Sequence, residues 1–514
     1  KMQKIKKMIV TSRLVNLLIL LLCFISFLFL GIFDLDEGAF AVTSLQMVKD
    51  GQYLIPYIGE ELRLEKPILS YWIQALFLSI FGFSEYSLRA PSLIAALIWG
   101  YSFATFVKEN NTRITRSDIL INFFTLPGIF LISFAATADA FLNLFITLAL
   151  INLYKFEEQK KNKFLNLAAA WISLGFLTKG FAIVAICGLV FLFYCFSNRK
   201  INSFFSAILN IKAWAIFIII VSPWLVYLYM QTSGEAVMYM LFGQSFGRFS
   251  DAFENHSGSF FYYLIVLPFI TLPFFPDLIK GMLTLRPKAN SFELFLMVWF
   301  FVVIIFFSFS STKLPHYLVY GLSPIAYFVE KNFRKNETSA FSLFALLFHS
   351  FIWGVVLAIP FYLSYMLELT QTFELSKDVM ENLKTSNSYK LFIGLFVLLL
   401  IINFLQRSNS MQVKKMSALA LIVMLTFWLL PFAQTATQQD IKNLGLFAKK
   451  EGNMVSMYKV NKPSYAFYAQ QKSYRGLKEN YLILSRIDKE NSFDFEYEVI
   501  MRSGNYFIFK IKYE

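Results

Sequence analysis

Phe33-Asp34-Leu35-Asp36-Glu37-Gly38 and, after a short polar interval, Arg63-Leu64-Glu65-Lys66-Pro67 interrupt an almost unbroken succession of apolar segments. Acids and bases set this close to the end of a hydrophobic run sit at a membrane surface, and side chains kept charged at that depth generally serve chemistry or a pathway. The run leading into them, residues 14–33, is near the roughly 20 residues that cross a hydrocarbon core of about 30 Å as a helix. The whole 514-residue chain has the same character. It is 57% hydrophobic, 18% aromatic and only 16% charged, which excludes a water-soluble domain for most of its length and gives an α-helical polytopic membrane protein.

The start of the chain carries Lys4, Lys6, Lys7 and Arg13 ahead of the first apolar run. That run is too long for a cleaved leader and lacks a small-residue cleavage site, so it reads as a retained anchor. Cys23, Cys187 and Cys195 lie in apolar runs without metal-ligand spacing and read as buried thiols. Basic connections recur at 108–116, 155–163, 199–212, 280–288, 331–335 and 407–415, and the positive-inside rule assigns them, with the N-terminus, to the cytoplasm. The spacing predicts spans at 14–33, 88–107, 118–136, 139–156, 163–178, 180–197, 211–231, 260–282, 292–310, 314–332, 340–364, 389–406 and 415–434, about thirteen in all. The shorter apolar piece 68–82 is read as half-embedded on the outer face, because counting it as a crossing would put the basic loop at 108–116 outside.

An odd number of spans and a cytoplasmic start send the C-terminus to the periplasm or exterior. Residues 1–435 then form the transmembrane domain, with outward juxtamembrane segments at 34–87 and 232–259, and residues 436–514 a small periplasmic α/β domain. Short alternating segments in that tail predict strands at 455–460 and 481–487, a helix at 463–470, and a hairpin of 495–501 with 506–513 around Ser503-Gly504-Asn505.

The polar groups expected at the outward face are Asp34, Asp36, Glu37, Arg63, Glu65, Lys66, Arg89, Asp139, Lys179, Arg248, Asp251, Glu254, His256, Lys313, His316 and Tyr317. Taken alone, Asp139 reads more readily as a helix N-cap than as a functional acid, and Lys179 reads as readily as a snorkelling turn lysine as a functional one. The polar segment 232–259, with Gly243, Gly247 and Gly258, reads either as a lid or as an ordinary interfacial helix and loop.

Taken in order, these fragments resemble a known family. Asp36-Glu37-Gly38, Glu65-Lys66-Pro67 with Tyr71-Trp72, Phe81-Gly82 before Ser84-Glu85 and Arg89, and Asp139 are followed by Leu177-Thr178-Lys179-Gly180 and Pro223-Trp224. Arg248-Phe249 ahead of His256, Tyr262-Tyr263, and Ser311-Thr312-Lys313-Leu314-Pro315 with Tyr317 complete the set. Their order and spacing resemble the bacterial ArnT-like glycosyltransferases of the GT-C class, which also holds the protein O-mannosyltransferases. The resemblance covers at least residues 14–330. It departs from the pattern at Ala39 and Phe40, which stand where Arg and Tyr are usual, and at Ile68, which replaces a second proline.

What the resemblance implies is an enzyme of a bacterial inner membrane, working on the periplasmic face. It would transfer a sugar from an undecaprenyl-phosphate carrier to a lipid A phosphate, or in the protein O-mannosyltransferase alternative to a Ser/Thr hydroxyl. Lys66, Arg89, Lys313 and Tyr317 would meet the donor phosphate, whose charge grows as the glycosidic bond breaks. Lys179 and Arg248 would meet the acceptor. Asp36 and Asp139, with Lys66, are the catalytic candidates. Glu65 and His256 would hold a divalent metal ion (Zn, Mg or Mn), two ligands being a weak metal signal without the family; His256 alone also reads as a hydrogen-bonded interfacial histidine. The segment from Lys66 to Trp72, the Lys313-Leu314-Pro315 element and Lys179-Gly180 favour the lipid A branch, while the loss of a cation at Ala39 leaves a hexosamine such as galactosamine nearly level with 4-amino-4-deoxy-L-arabinose. The +14 charge suits anionic phospholipid and phosphate partners and implies no nucleic acid. A monomer is expected. A lipid or sugar transporter is the non-enzymatic alternative, but it would place charges near the midplane on repeated halves.

Overall fold

A computed structural model describes residues 2–232, 234–247, 258–333, 340–370, 385–405 and 410–512. Helix α1 (Met2–Phe27) leads to a loop, then α2 (Asp36–Asp50), the hairpin β1 (Tyr57–Ile58) and β2 (Glu61–Leu62), and α3 (Leu69–Phe81). The helices that follow are α4 (Glu85–Asn110), α5 (Arg116–Phe124), α6 (Pro127–Phe134), α7 (Asp139–Gln159), α8 (Asn162–Lys179), α9 (Ala182–Ser197), α10 (Ile201–Ile208) and α11 (Ile211–Gln231). Among the described residues five helices are long and apolar enough to cross a membrane: α4, α7, α11, Ser291–Phe309 and Met411–Thr437. Two further spans expected as straight, 118–136 and 260–282, are pairs of helices bent by 83° and 109°. Proline accounts for the breaks. Pro127 starts α6 and Pro273 and Pro276 flank the second bend, and a residue without an amide hydrogen ends one hydrogen-bond ladder and opens the next. Among the described residues five shorter helices, including α3 and α9, are also apolar.

Helix α7 is the axis of the bundle. In its apolar window 89% of residues are buried, against 17% for the peripheral α11. Phe, Trp and Tyr rings do much of the filling, with Trp99 and Trp299 fully enclosed and tied by indole hydrogen bonds to Ser323 Oγ (2.9 Å) and the Tyr320 carbonyl (2.8 Å). Both α4 and α7 run from the end of the bundle that carries α2 and α3 toward the other, and the 26 residues of α4 span about 39 Å.

At that far end part of the charge lies inside the bundle and not on solvated loops. Lys415, expected to close a basic connection, is buried within helix Ser410–Met424 and donates to Asp118 (3.1 Å) and Glu330 (2.7 Å). Arg13 reaches the same Asp118 at 3.0 and 2.7 Å. Its neighbour Lys414 pairs with the enclosed Asp277 at 2.7 Å, beside buried His349. A charge held away from water is tolerated only with a partner of opposite sign. These clusters therefore staple α1, α5 and the helices Phe275–Leu283, Ser323–Phe333 and Ser410–Met424 into one arrangement.

The C-terminal residues form a five-stranded sheet in the order β4-β3-β5-β7-β6. Strands β3 (Val455–Met457), β4 (Tyr474–Arg475) and β5 (Leu482–Arg486) are parallel, and β6 (Tyr497–Ser503) and β7 (Tyr506–Ile511) form an antiparallel hairpin. Helices Gln439–Glu451 and Ser464–Ala469 pack on one face. The first of these and the two-residue strand β4 were not expected from the sequence. The helix is strongly charged and the strand is too short to show alternation.

Asp118→Ala removes the acid shared by Arg13 and Lys415, leaving Arg13 without it and the buried Lys415 with Glu330. It is expected to cost at least about 2 kcal/mol, read as a lowered thermal unfolding midpoint in detergent. Asp488→Ala, which breaks an exposed pair with Arg486, is expected to shift stability by no more than about 1 kcal/mol. Equal shifts for the two variants would refute the stapling role.

Candidate active site

The loop between α1 and α2 is organised by one pair of side chains. Arg89, in the first turns of α4, is completely enclosed and places its fork on Glu37 at 3.0 and 2.6 Å. Its remaining N–H groups go to the carbonyls of Phe27 (3.1 Å), Leu30 and Gly31 (2.8 Å), the end of α1 whose last carbonyls lack helical partners. Glu37 in turn accepts from the backbone N–H of Phe33 (2.9 Å) and Ala136 (2.8 Å). Gln74 of α3 donates to the Ala136 carbonyl at 3.0 Å and accepts from Ser44 at 2.9 Å. The peptide preceding Thr137-Ala138-Asp139 is thus clamped from both sides.

The result is a cavity of about 590 Å³ bounded by Asp36, Arg63, Glu65, Lys66, Asp139, Lys179, His316 and Tyr317, among others. A second, more apolar space of about 250 Å³ opens beside it, walled by Phe181, Met240, Phe306 and Phe307. Glu65, Lys66, Lys179 and Tyr317 line both. A polar chamber and a hydrophobic groove therefore meet at two lysines.

Within the chamber the acids have different settings. Asp139 is buried and fully engaged: Lys179 donates to it at 2.5 Å, Tyr320 at 2.7 Å and Thr137 at 3.1 Å. Lys179 also donates to Tyr320 at 2.8 Å and lies 5.6 Å from the ring centres of Tyr317 and Tyr320. Asp139 is thereby the residue that fixes the lysine. Asp36, at the start of α2, is exposed to the chamber, with Arg63 and His316 within its electrostatic reach. Arg63 donates to Tyr71 at 3.1 Å and lies 3.5 Å from Glu65 Oε2, which accepts no hydrogen bond. Lys66 donates to the Glu65 carbonyl at 3.1 Å.

Two residues expected at the donor phosphate lie elsewhere. Arg89 is consumed by Glu37 and the end of α1, with all five of its N–H donors in use. Lys313 is buried and donates to the carbonyls of Phe307 (3.1 Å) and Ser308 (2.6 Å), closing the end of helix Ser291–Phe309. Both are cations that satisfy helix C-termini in apolar surroundings. Arg248 and His256, expected at the acceptor and at a metal, lie outside the described residues. Among the described residues no group of three or more His, Cys, Asp or Glu side chains could hold a metal ion. Glu65 offers a single carboxylate that faces a guanidinium, so the described donors alone do not suit a divalent ion.

The chamber also has a wall that the sequence did not disclose. Met457, Asn461, Pro463 and Arg475 of the C-terminal domain close it. Docking of that domain rests on Asp34, which accepts from Ser464 N (3.0 Å) and Oγ (2.5 Å), on Tyr468, which accepts from Ile32 N at 2.8 Å, and on a Lys442–Glu85 pair at 2.6 Å. The approach is close enough to require glycine. A Cβ on Gly38 would meet Asp34 Oδ1 at 1.9 Å and Ser464 N at 2.9 Å, and one on Gly59, where φ is +64°, would meet the Ser473 carbonyl at 2.2 Å.

Residues 65–227 match the family model described as dolichyl-phosphate-mannose-protein mannosyltransferase. Curated relatives include the undecaprenyl phosphate-alpha-4-amino-4-deoxy-L-arabinose arabinosyl transferase of Yersinia pestis (strain Pestoides F), 28% identical over 305 residues, covering 57% of this chain and 53% of the relative. That of Wigglesworthia glossinidia brevipalpis is 27% identical over 314 residues, covering 58% and 54%. The chain thus matches about half the length of these relatives. Among solved structures, ArnT from Cupriavidus metallidurans bound to undecaprenyl phosphate superposes with a TM-score of 0.80 at 16% identity, covering 98% of each chain, and its apo state with 0.79 at 15%. The chain therefore has the fold of ArnT over nearly its whole length, and its sequence is similar to that of the aminoarabinose transferases.

Burial lifts the Asp34 carboxyl from the usual 3.8 to about 6, against the opposing pull of the Ser464 hydrogen bonds and of Lys462. With the folded value above the unfolded one, the folded chain holds the extra proton between them. The stabilisation is full at low pH and is lost as the pH rises through about 6. Between about pH 5 and about pH 7 the thermal stability of the wild type is expected to fall relative to Asp34→Asn, which does not ionise. Parallel curves would show that Asp34 does not titrate in this range.

Proposed function

We propose that this protein is a membrane glycosyltransferase of the ArnT type, moving an amino sugar from undecaprenyl phosphate to a lipid A phosphate on the periplasmic face of a bacterial inner membrane. The observation that carries the reading is the meeting of a hydrophobic groove and a charged chamber at Lys66 and Lys179. A carrier lipid has the same division, an apolar chain ending in a phosphate. With the chain in the groove, the phosphate would fall between the lysines and the sugar in the chamber, facing Asp36. The likeness in sequence to aminoarabinose transferases and the shared fold support the same assignment. The sugar is 4-amino-4-deoxy-L-arabinose, the one named for those relatives, or a hexosamine such as galactosamine.

In such a transfer an oxygen of the acceptor phosphate bonds to the anomeric carbon as the bond to the carrier phosphate breaks, and the electron pair leaves with that phosphate. Lys66 and Lys179 would stabilise the charge growing on the leaving oxygen. Asp139 acts through Lys179, keeping its ammonium aimed at the junction. An acceptor phosphate is already anionic near neutral pH and needs no base, which leaves Asp36 to bind the amino group of the sugar and orient its hydroxyls. The matched family model names protein mannosyltransferases, and in that second reading Asp36 would take the proton of an attacking Ser/Thr hydroxyl.

Mass spectrometry of lipid A from cells with and without the protein is expected to show a pentosamine or hexosamine on a phosphate. An unmodified spectrum under expressing conditions, with glycosylated protein in its place, would overturn the lipid A reading. Asp36→Asn and Lys66→Ala, both at side chains open to the chamber, are expected to reduce transfer by at least about 100-fold while the protein remains folded and inserted. Asp139→Asn is expected to do the same by releasing Lys179. Wild-type rates in all three variants would remove the mechanism.

A further inference from the structure

We infer that the C-terminal domain is part of the active site, and that its Arg475, braced by Asn461, recognises the anionic phosphate headgroup of the acceptor. The inference rests on the proposed transfer to a phosphate, and four observations lead to it.

First, the chamber is not closed by the membrane bundle alone. Asn461 and Arg475 lie on its rim together with Asp36, Arg63 and Lys66, although they are separated from those residues by about 400 positions in the chain. Second, the position of Arg475 is rigidly built. It ends β4, pairs in register with Met457 of β3, and is followed by Gly476, whose N–H donates to the Met457 carbonyl at 2.9 Å and whose own carbonyl accepts from Ser456 Oγ at 2.6 Å. The turn carrying it is pinned to the bundle through the Gly59–Ser473 approach and the Lys472–Asp50 pair at 2.9 Å.

Third, its charge is uncommitted. Lys179 is neutralised by Asp139, and Arg63 is shared between Tyr71 and Glu65. Arg475 is exposed, its one side-chain hydrogen bond runs to Asn461 Oδ1 at 3.4 Å, and no acid lies within ion-pairing distance among the described residues. Elsewhere on the same domain the half-buried Arg486 and the exposed Arg502 are each paired with an acid, at 2.6 and 2.8 Å.

Fourth, direct displacement at an anomeric carbon needs the attacking and departing oxygens on opposite sides. With the departing phosphate at the junction of groove and chamber, by Lys66 and Lys179, the attacking phosphate would enter past the chamber wall that lies outside the groove, and the C-terminal domain supplies part of that wall and none of the groove's. An uncommitted guanidinium there suits a phosphate, which it can grip with two parallel N–H bonds. Arg475 binds and aligns the nucleophile and exchanges no proton with it.

The test uses the full-length protein reconstituted in phosphatidylethanolamine/phosphatidylglycerol vesicles, with an undecaprenyl-phosphate-linked amino sugar as donor and diphosphoryl lipid A as acceptor. Arg475→Ala and Arg475→Glu are expected to raise the acceptor KM by about 10-fold or more, the effect of losing a charge-assisted hydrogen bond, with donor KM and kcat little changed. Arg475→Lys should recover part of the loss, and Arg502→Ala, an exposed arginine of the same domain paired with Glu490, should behave as wild type. An unchanged acceptor KM in Arg475→Glu, or a loss confined to kcat or to donor KM, overturns the inference and leaves the proposed function standing. A wild-type protein that leaves lipid A unmodified overturns both.

Discussion

The buried ion pair between Glu37 and Arg89 is the constraint on which the site depends. Removing two charges from water is costly, and their mutual attraction compensates only when every remaining donor and acceptor finds a partner. Here the remaining partners are the elements that build the cleft. The guanidinium closes the end of α1, and the carboxylate holds the loop before α2 and the peptide before α7. One interaction therefore sets the relative positions of Asp36, at the first turn of α2, and Asp139, at the first turn of α7, although 103 residues separate them. A hydrophobic contact of equal area would have held the same helices together without fixing their angular register, because apolar packing is non-directional.

The same logic operates at the opposite end of the bundle. Asp118 and Glu330 hold Arg13 and Lys415 in one group, and Asp277 with Lys414 forms a second. Both lie where the sequence shows only basic connections. The positive-inside rule counts lysines and arginines near helix ends, and it is blind to whether each points to the lipid surface or into the protein. Part of the positive excess here is structural, matched by acids that come from other helices and so add no local signal of their own.

That limit decides what was legible. Asp36, Glu65, Lys66, Asp139, Lys179 and Tyr317 each interrupt or flank an apolar run, and the structure brings all six to one cleft. A break in hydrophobicity marks the surface of the bundle, and side chains at one surface can converge. Arg89 and Lys313 show the same local pattern and have a different role, because a cation near a helix end serves a ligand or the last carbonyls of a neighbouring helix according to what lies beside it in space. The bends at Pro127 and Pro273 follow from residues plainly visible in the sequence, yet their angles depend on packing against other helices. Arg475 and Asn461 carried no signal at all, since a polar side chain on a polar domain is unremarkable until the domain is docked.

Docking also explains why the chamber can be both charged and enclosed. A purely helical cleft would leave the chamber open where Met457, Asn461, Pro463 and Arg475 now close it. Here the roof is the C-terminal domain, held by Asp34 on Ser464 and by two glycine-permitted contacts of backbone on backbone or side chain. Beneath these polar contacts an apolar core is shared across the junction, with Ile32, Val42, Leu45 and Leu88 packing against Ile441, Leu444, Tyr465 and Phe467 of the C-terminal domain. The wall that carries Asn461 and Arg475 is therefore fixed to the bundle by burial as well as by hydrogen bonds, and the chamber receives side chains from both units in set positions.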